Sequence, residues 1–168
     1  MRILVLVLLP WLAIFLQSTI FSIYNIKGTT PDLVLVFVTF FALFNTAKKG
    51  SGYAFFCGLL EDLYMGRFIG LNALSKGLTA YIVGKVQGNV FKENIFVGVL
   101  GVLVATVLNS LFLFLISIMV FDVFHIDTGM LHHILYQAVY NTIVAIPLYI
   151  WYYNSSNRGV LRTPGRIK

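Results

Sequence analysis

Apolar runs separated by short polar breaks recur along the whole chain. A run of roughly 20 apolar residues is long enough to cross a hydrocarbon core about 30 Å thick, so each is a candidate membrane helix. The first, "MRILVLVLLPWLAIFLQSTIFSIY", is apolar over 3–24 and stops at the turn-rich "NIKGTT". It has the basic start and apolar stretch of a signal peptide, but it stays apolar throughout and lacks an A-x-A-like cleavage site, so it reads as an uncleaved helix. The second opens with "TTPDL", where Thr30 can cap and Pro31 can take the first helical position, and it is predicted over 31–47, ahead of "KKGSG". The third, 53–66, is short. The fourth, 70–86, is the least apolar, with Asn72, Ser75, Lys76, Thr79 and Lys85, and needs shielding from lipid; it is therefore predicted to be central. The fifth and sixth are predicted over 95–121 and 131–153, with a basic tail over 154–168. The expected fold is an all-α integral membrane protein of six transmembrane helices in a single domain over 1–153.

Composition supports that reading. Of 168 residues, 59% are hydrophobic and 11% charged, with mean hydropathy +0.89, whereas a soluble domain carries about 25% charged residues. No stretch remains for a soluble domain of even about 50 residues, so any chemistry takes place in the membrane or at its faces. A net charge of +6 would suggest nucleic acid in a soluble protein. Here the bases sit in short loops and in the tail, which points to membrane orientation and anionic lipid instead. Nine Lys and Arg residues gather on one side (Arg2, Lys48, Lys49, Lys85, Lys92 and four in the tail) and two, Lys27 and Arg67, on the other. The positive-inside rule then puts both termini in the cytoplasm. Cys57, the only cysteine, lies in an apolar run and reads as a small buried thiol.

Two of the six acids, Glu61 and Asp62, are adjacent within "GLLEDLYMGRFIG". At about 1.5 Å per residue they lie at a depth similar to that of Lys76 on the next, antiparallel helix. A lone charge in hydrocarbon costs at least about 2.5 kcal/mol, so such groups pair or line a wet cavity. The spacing predicts a carboxylate to Lys76 pair, with Asp62 favoured, because Gly58, Asp62 and Gly66 share a small-residue face where a helix can approach. The competing reading is that the acids mark a helix end neutralised by water and Arg67. Catalysis is the weakest reading, because adjacent helical residues point about 100° apart and do not converge on one bond. Asn109, Gln137 and Asn141 are candidates for interhelical hydrogen bonding. His125, His132 and His133 gather near one end of the last two helices, where surface histidines are a better reading than a metal site. There is no P-loop and no G-x-G-x-x-G.

"PDLVLVF" at 31–37 and "GYAFFCGLLEDLYMGRFIGLNALSKGLTAYIVGK" at 52–85 are similar to the bacterial rod shape-determining family MreD. The match lies in Pro31, Asp32, Leu33, Gly58, Leu59, Asp62, Leu63, Gly70, Leu71, Ala73 and Leu74. The resemblance implies a non-enzymatic subunit of the elongation machinery, without cofactor, in the bacterial cytoplasmic membrane. Its implied partner is MreC, within an assembly holding MreB, RodA and a penicillin-binding transpeptidase; membrane lipids and a second copy of the chain are further partners. It also implies a fold similar to the substrate-binding subunits of energy-coupling factor transporters, with an outward pocket lined by Asp32, Asp62, Asn72 and Lys76. A small-molecule or lipid-binding transport subunit using that pocket is the alternative function.

Overall fold

The computed structural model describes residues 2–66, 68–86, 94–121, 128–158 and 161. They form six helices: α1 (Arg2–Ile23), α2 (Leu33–Phe44), α3 (Ala47–Met65), α4 (Leu71–Val86), α5 (Ile95–Phe121) and α6 (Thr128–Arg158). Three of them, α1, α5 and α6, are long and apolar enough to cross a membrane.

Close contacts fix the helix directions. The starts of α1 and α3 meet the end of α2, through Arg2 donating to Asn45 Oδ1 at 3.4 Å and the Tyr53 hydroxyl donating to the Leu6 carbonyl at 2.8 Å. The end of α4 meets the start of α3, where a Cβ on Gly84 would lie 2.7 Å from the Ala47 Cα. Gly98, near the start of α5, faces the Tyr149 ring near the end of α6. The helices therefore alternate in direction, and the start of α1 and the end of α6 share one end of the bundle. Arg2, Lys48, Lys49 and Lys85 lie at that end, here named the Lys48 end, and Lys27 at the opposite one.

The middle of the bundle is α2, not α4 as the polarity of α4 suggested. Every residue of α2 is buried. Its 12 residues span only about 18 Å at 1.5 Å per residue, short for a span, but its neighbours enclose it. By contrast α4 shields its polar side chains on one face, burying Ser75, Lys76 and Thr79, and exposes Leu74, Leu78 and Ile82 on the other. Polarity called for one protected face, not for a central position.

Two boundaries also differ from expectation. The cap of α2 is Asp32, whose side chain accepts from Leu35 N at 2.8 Å, and neither Thr30 nor Pro31 is helical. "KKGSG" lies within the opening turns of α3, not in a loop. The helix tolerates Gly50 because Gly50 packs against Ala42 of α2, where a Cβ would sit at 3.0 Å. At the far end, α6 runs on to Arg158, past the predicted stop near 153.

Pro10 sits inside α1 and has no N–H to bond the Leu6 carbonyl one turn back. The Tyr53 hydroxyl supplies the missing donor, which couples α1 to α3 where α1 is weakest.

Candidate functional site

Six helices contribute to one connected polar network inside this apolar bundle. Its centre is Lys76 of α4, fully buried at 0% exposure. An ammonium carries three N–H donors, and three protein oxygens surround this one: Asp32 Oδ2 at 2.8 Å, Glu61 Oε2 at 2.6 Å and Asn72 Oδ1 at 3.1 Å. The Glu61 contact is an ion pair off hydrogen-bond alignment, since Oε2 has no hydrogen-bond partner among the described residues. Glu61 Oε1 accepts from Gln17 Nε2 of α1 at 2.8 Å, and Gln17 Oε1 accepts from Leu33 N at 3.2 Å. On the other flank Asp32 N donates to Asn141 Oδ1 of α6 at 2.8 Å, and Asn141 Nδ2 donates to Thr106 Oγ1 of α5 at 3.0 Å.

Charge in this network is balanced by helix ends as well as by the lysine. Two carboxylates face one ammonium, leaving one formal negative charge. Asp32 is the N-cap of α2 and sits against the positive end of its dipole.

Asp62 serves a different helix end. Its Oδ2 accepts from Gly70 N at 2.8 Å and Ala73 N at 3.1 Å, and its Oδ1 from Asn72 N at 3.2 Å and Asn72 Nδ2 at 2.9 Å. These N–H groups belong to the opening of α4, where no intrahelical acceptor exists. The expected Asp62 to Lys76 pair is therefore not formed: the lysine takes Asp32 and Glu61, and Asp62 caps α4 across the hairpin. Glu61 does not mark a helix end open to water either, being only 2% exposed. The glycine face explains the exchange. A Cβ on Gly58 would lie 2.5 Å from the Asn72 carbonyl oxygen, so this face of α3 rests on the first turn of α4. Asp62, one helical turn on, meets the free N–H groups there, while Glu61, about 100° round, turns into the bundle toward the deeper Lys76.

Asp32, Asp62, Asn72 and Lys76 are thus near neighbours, with Asn72 bonded to both Asp62 and Lys76. Sequence reasoning favoured Asp62 over Glu61 as the partner of Lys76 and assigned Gln17 no partner. Gln17 was legible as an amide on an apolar helix, a group that wants a partner. Asn141 makes two interhelical bonds, whereas Asn109 is buried with its Oδ1 unpartnered among the described residues, and Gln137 is half-buried. Cys57 is buried. His132 and His133 are exposed, and His125 lies outside the described residues. Among the described residues no group of three or more His, Cys, Asp and Glu is placed to hold a metal.

A family model described as rod shape-determining protein MreD matches residues 1–156. The chain belongs to the MreD family. Membership places it among membrane components that determine rod shape, a family not known for enzymes. No curated protein and no solved structure matches the chain, so no match stands behind the expected likeness to transporter substrate-binding subunits. The two stretches that resembled the family become, in this chain, the Asp32 cap and the α3–α4 hairpin closed by Asp62.

Proposed function

We propose that this MreD-family chain is a non-enzymatic scaffold of the elongation complex, which binds MreC in the bacterial cytoplasmic membrane and helps regulate lateral peptidoglycan synthesis. RodA, a penicillin-binding transpeptidase and MreB associate with it through the complex. The bundle spans the membrane six times with the Lys48 end in the cytoplasm, an orientation supported by Arg2, Lys48, Lys49 and Lys85 lying opposite Lys27.

The observation that carries this reading is the saturation of the charged centre. Three protein oxygens already surround the Lys76 ammonium, and four N–H groups converge on Asp62. An anionic ligand would have to displace a carboxylate from the lysine, and a substrate would find none of Asp32, Glu61 and Asp62 free to act as a base. This favours a structural pin over a transport pocket or a catalytic pair. The network joins all six helices, so it holds the faces that partners meet.

The test is depletion of the chain in its host, with a tagged copy for rescue. Loss of rod shape, rescue by the tagged chain and retrieval of MreC from detergent-solubilised membranes are expected. Rods that persist after depletion, with no MreC retrieved, would contradict the proposal.

A further inference from the structure

Among the helices that face outward, α4 is the shortest and its hairpin partner α3 the next. The exposed apolar belt of α4 starts with Val86 and Ile82 at the Lys48 end and runs through Leu78 and Leu74 to Phe68 and Ile69 at the hairpin tip. The 16 residues of α4 reach about 24 Å at 1.5 Å per residue, roughly 6 Å less than a hydrocarbon core, and any tilt shortens that reach. Lys85 marks the edge of the belt at the Lys48 end. Its ammonium folds back to 5.1 Å from the centre of the Tyr81 ring, one turn into the belt, so it does not lengthen the hairpin outward.

The tip differs from the other turn at the Lys27 end. Between α1 and α2, "NIKGTT" holds one apolar side chain, Ile26, and the exposed Asn25 accepts from Gly28 N at 3.0 Å. Between α3 and α4 the exposed side chains are Met65, Phe68 and Ile69, the last by 68%. Arg67, the one charge there, lies outside the described residues. Turns that stand in water are built mainly from Gly, Asn, Asp, Ser and Pro, so a tip dressed in Met, Phe and Ile suits lipid.

The backbone of the tip is arranged for the same surroundings. The N–H groups of Gly70, Asn72 and Ala73 all end on the Asp62 carboxylate, itself 2% exposed, and Gly66 N donates to the Asp62 carbonyl at 3.0 Å. A helix start in water can leave its first N–H groups to solvent, whereas one among lipid tails must satisfy them within the protein. Asp62 does that here.

We propose that the outward face of α3 and α4 is the docking surface for a thinned patch of bilayer, in which phospholipids are compressed until the headgroups at the Lys27 end come down to Phe68 and Ile69. The proposal concerns lipid alone and holds or fails apart from the assembly reading. Its test uses the purified full chain in lipid nanodiscs, with a nitroxide attached at Ile69→Cys, at Met65→Cys or, at the other end of the hairpin, at Lys48→Cys, each in a Cys57→Ala background. Collisions of the nitroxide with a water-soluble nickel chelate are measured in phosphatidylcholine with 14:1, 18:1 and 22:1 chains. Collisions at 65 and 69 should fall at least about threefold from 14:1 to 22:1, as the leaflet outgrows the hairpin, while those at 48, anchored among headgroups by Lys49, stay level. Frequent collisions at 69 in all three lipids would put the tip in water, and rare collisions in all three would bury it against protein. Either result overturns the thinned patch, as does a parallel fall at 48.

Discussion

Replacing Lys76 by methionine keeps most of the side-chain volume and removes the charge at the centre of the network. Asp32 and Glu61 then lose the cation that lies 2.8 and 2.6 Å away, in a site where Lys76 and Glu61 are almost wholly buried. Removing one partner of a buried ion pair costs about 3–5 kcal/mol, because the remaining charge has neither water nor counter-ion. The upper part of that range is expected here, since two carboxylates are stranded, one of them on Gln17 alone. Proteins are stable by only about 5–15 kcal/mol, so Lys76→Met should lower the yield of folded protein sharply. The assay is unfolding of the purified protein by sodium dodecyl sulfate in mixed micelles, followed by circular dichroism. Glu61→Gln leaves one lysine facing one aspartate and should cost less than Lys76→Met. A Lys76→Met variant within about 1 kcal/mol of the native protein would refute the account of a desolvated, interdependent charge cluster.

Other sites carry smaller expectations. Asp62→Ala removes the acceptor for four donors at the start of α4 and should cost about 2 kcal/mol or more in the same assay, at the upper end for a helix cap. Asp62→Asn retains one acceptor oxygen and should fall between the two. Tyr53→Phe leaves the Leu6 carbonyl without its donor and should cost about 1 kcal/mol. Adding Pro10→Ala restores the intrahelical N–H, so the double variant should recover that loss; failure to recover would refute the pairing of proline and tyrosine.

Much of this fold is legible in the chain, because membrane helices announce themselves by length and apolarity. The six helices follow from the runs between turns, and Lys76 stood out as a cation that must find an acid. What sequence did not resolve is direction. Glu61 and Asp62 differ in depth by about 1.5 Å, so depth alone does not choose between them; the choice lies in the 100° between their side chains and in which part of α4 each meets. A sign was present in Gly70, which precedes α4 and has no side chain to cap it, so the helix needs an acceptor from elsewhere. The cap of α2 was misplaced for a related reason: "TTPDL" offers Thr30 and Asp32, and only the helix start at Leu33 selects the aspartate. The central place of α2 was hidden because an all-apolar helix reads the same facing lipid or facing other helices.

The central claim is that the buried charges are a structural pin and not a ligand site or a catalytic group. The measurement that tests it most directly is rescue of rod shape, together with recovery of MreC, by the triple variant Asp32→Asn, Glu61→Gln, Lys76→Met, set beside Lys76→Met alone. Neutralising all three members leaves the amide introduced by Asp32→Asn able to cap α2. The amide introduced by Glu61→Gln can still accept from Gln17, and no charge is stranded. The account predicts that the triple variant folds and restores rods while the single variant does not accumulate. A triple variant that folds and reaches the membrane in normal amount, yet leaves the cells round, would show that the charges themselves carry the function.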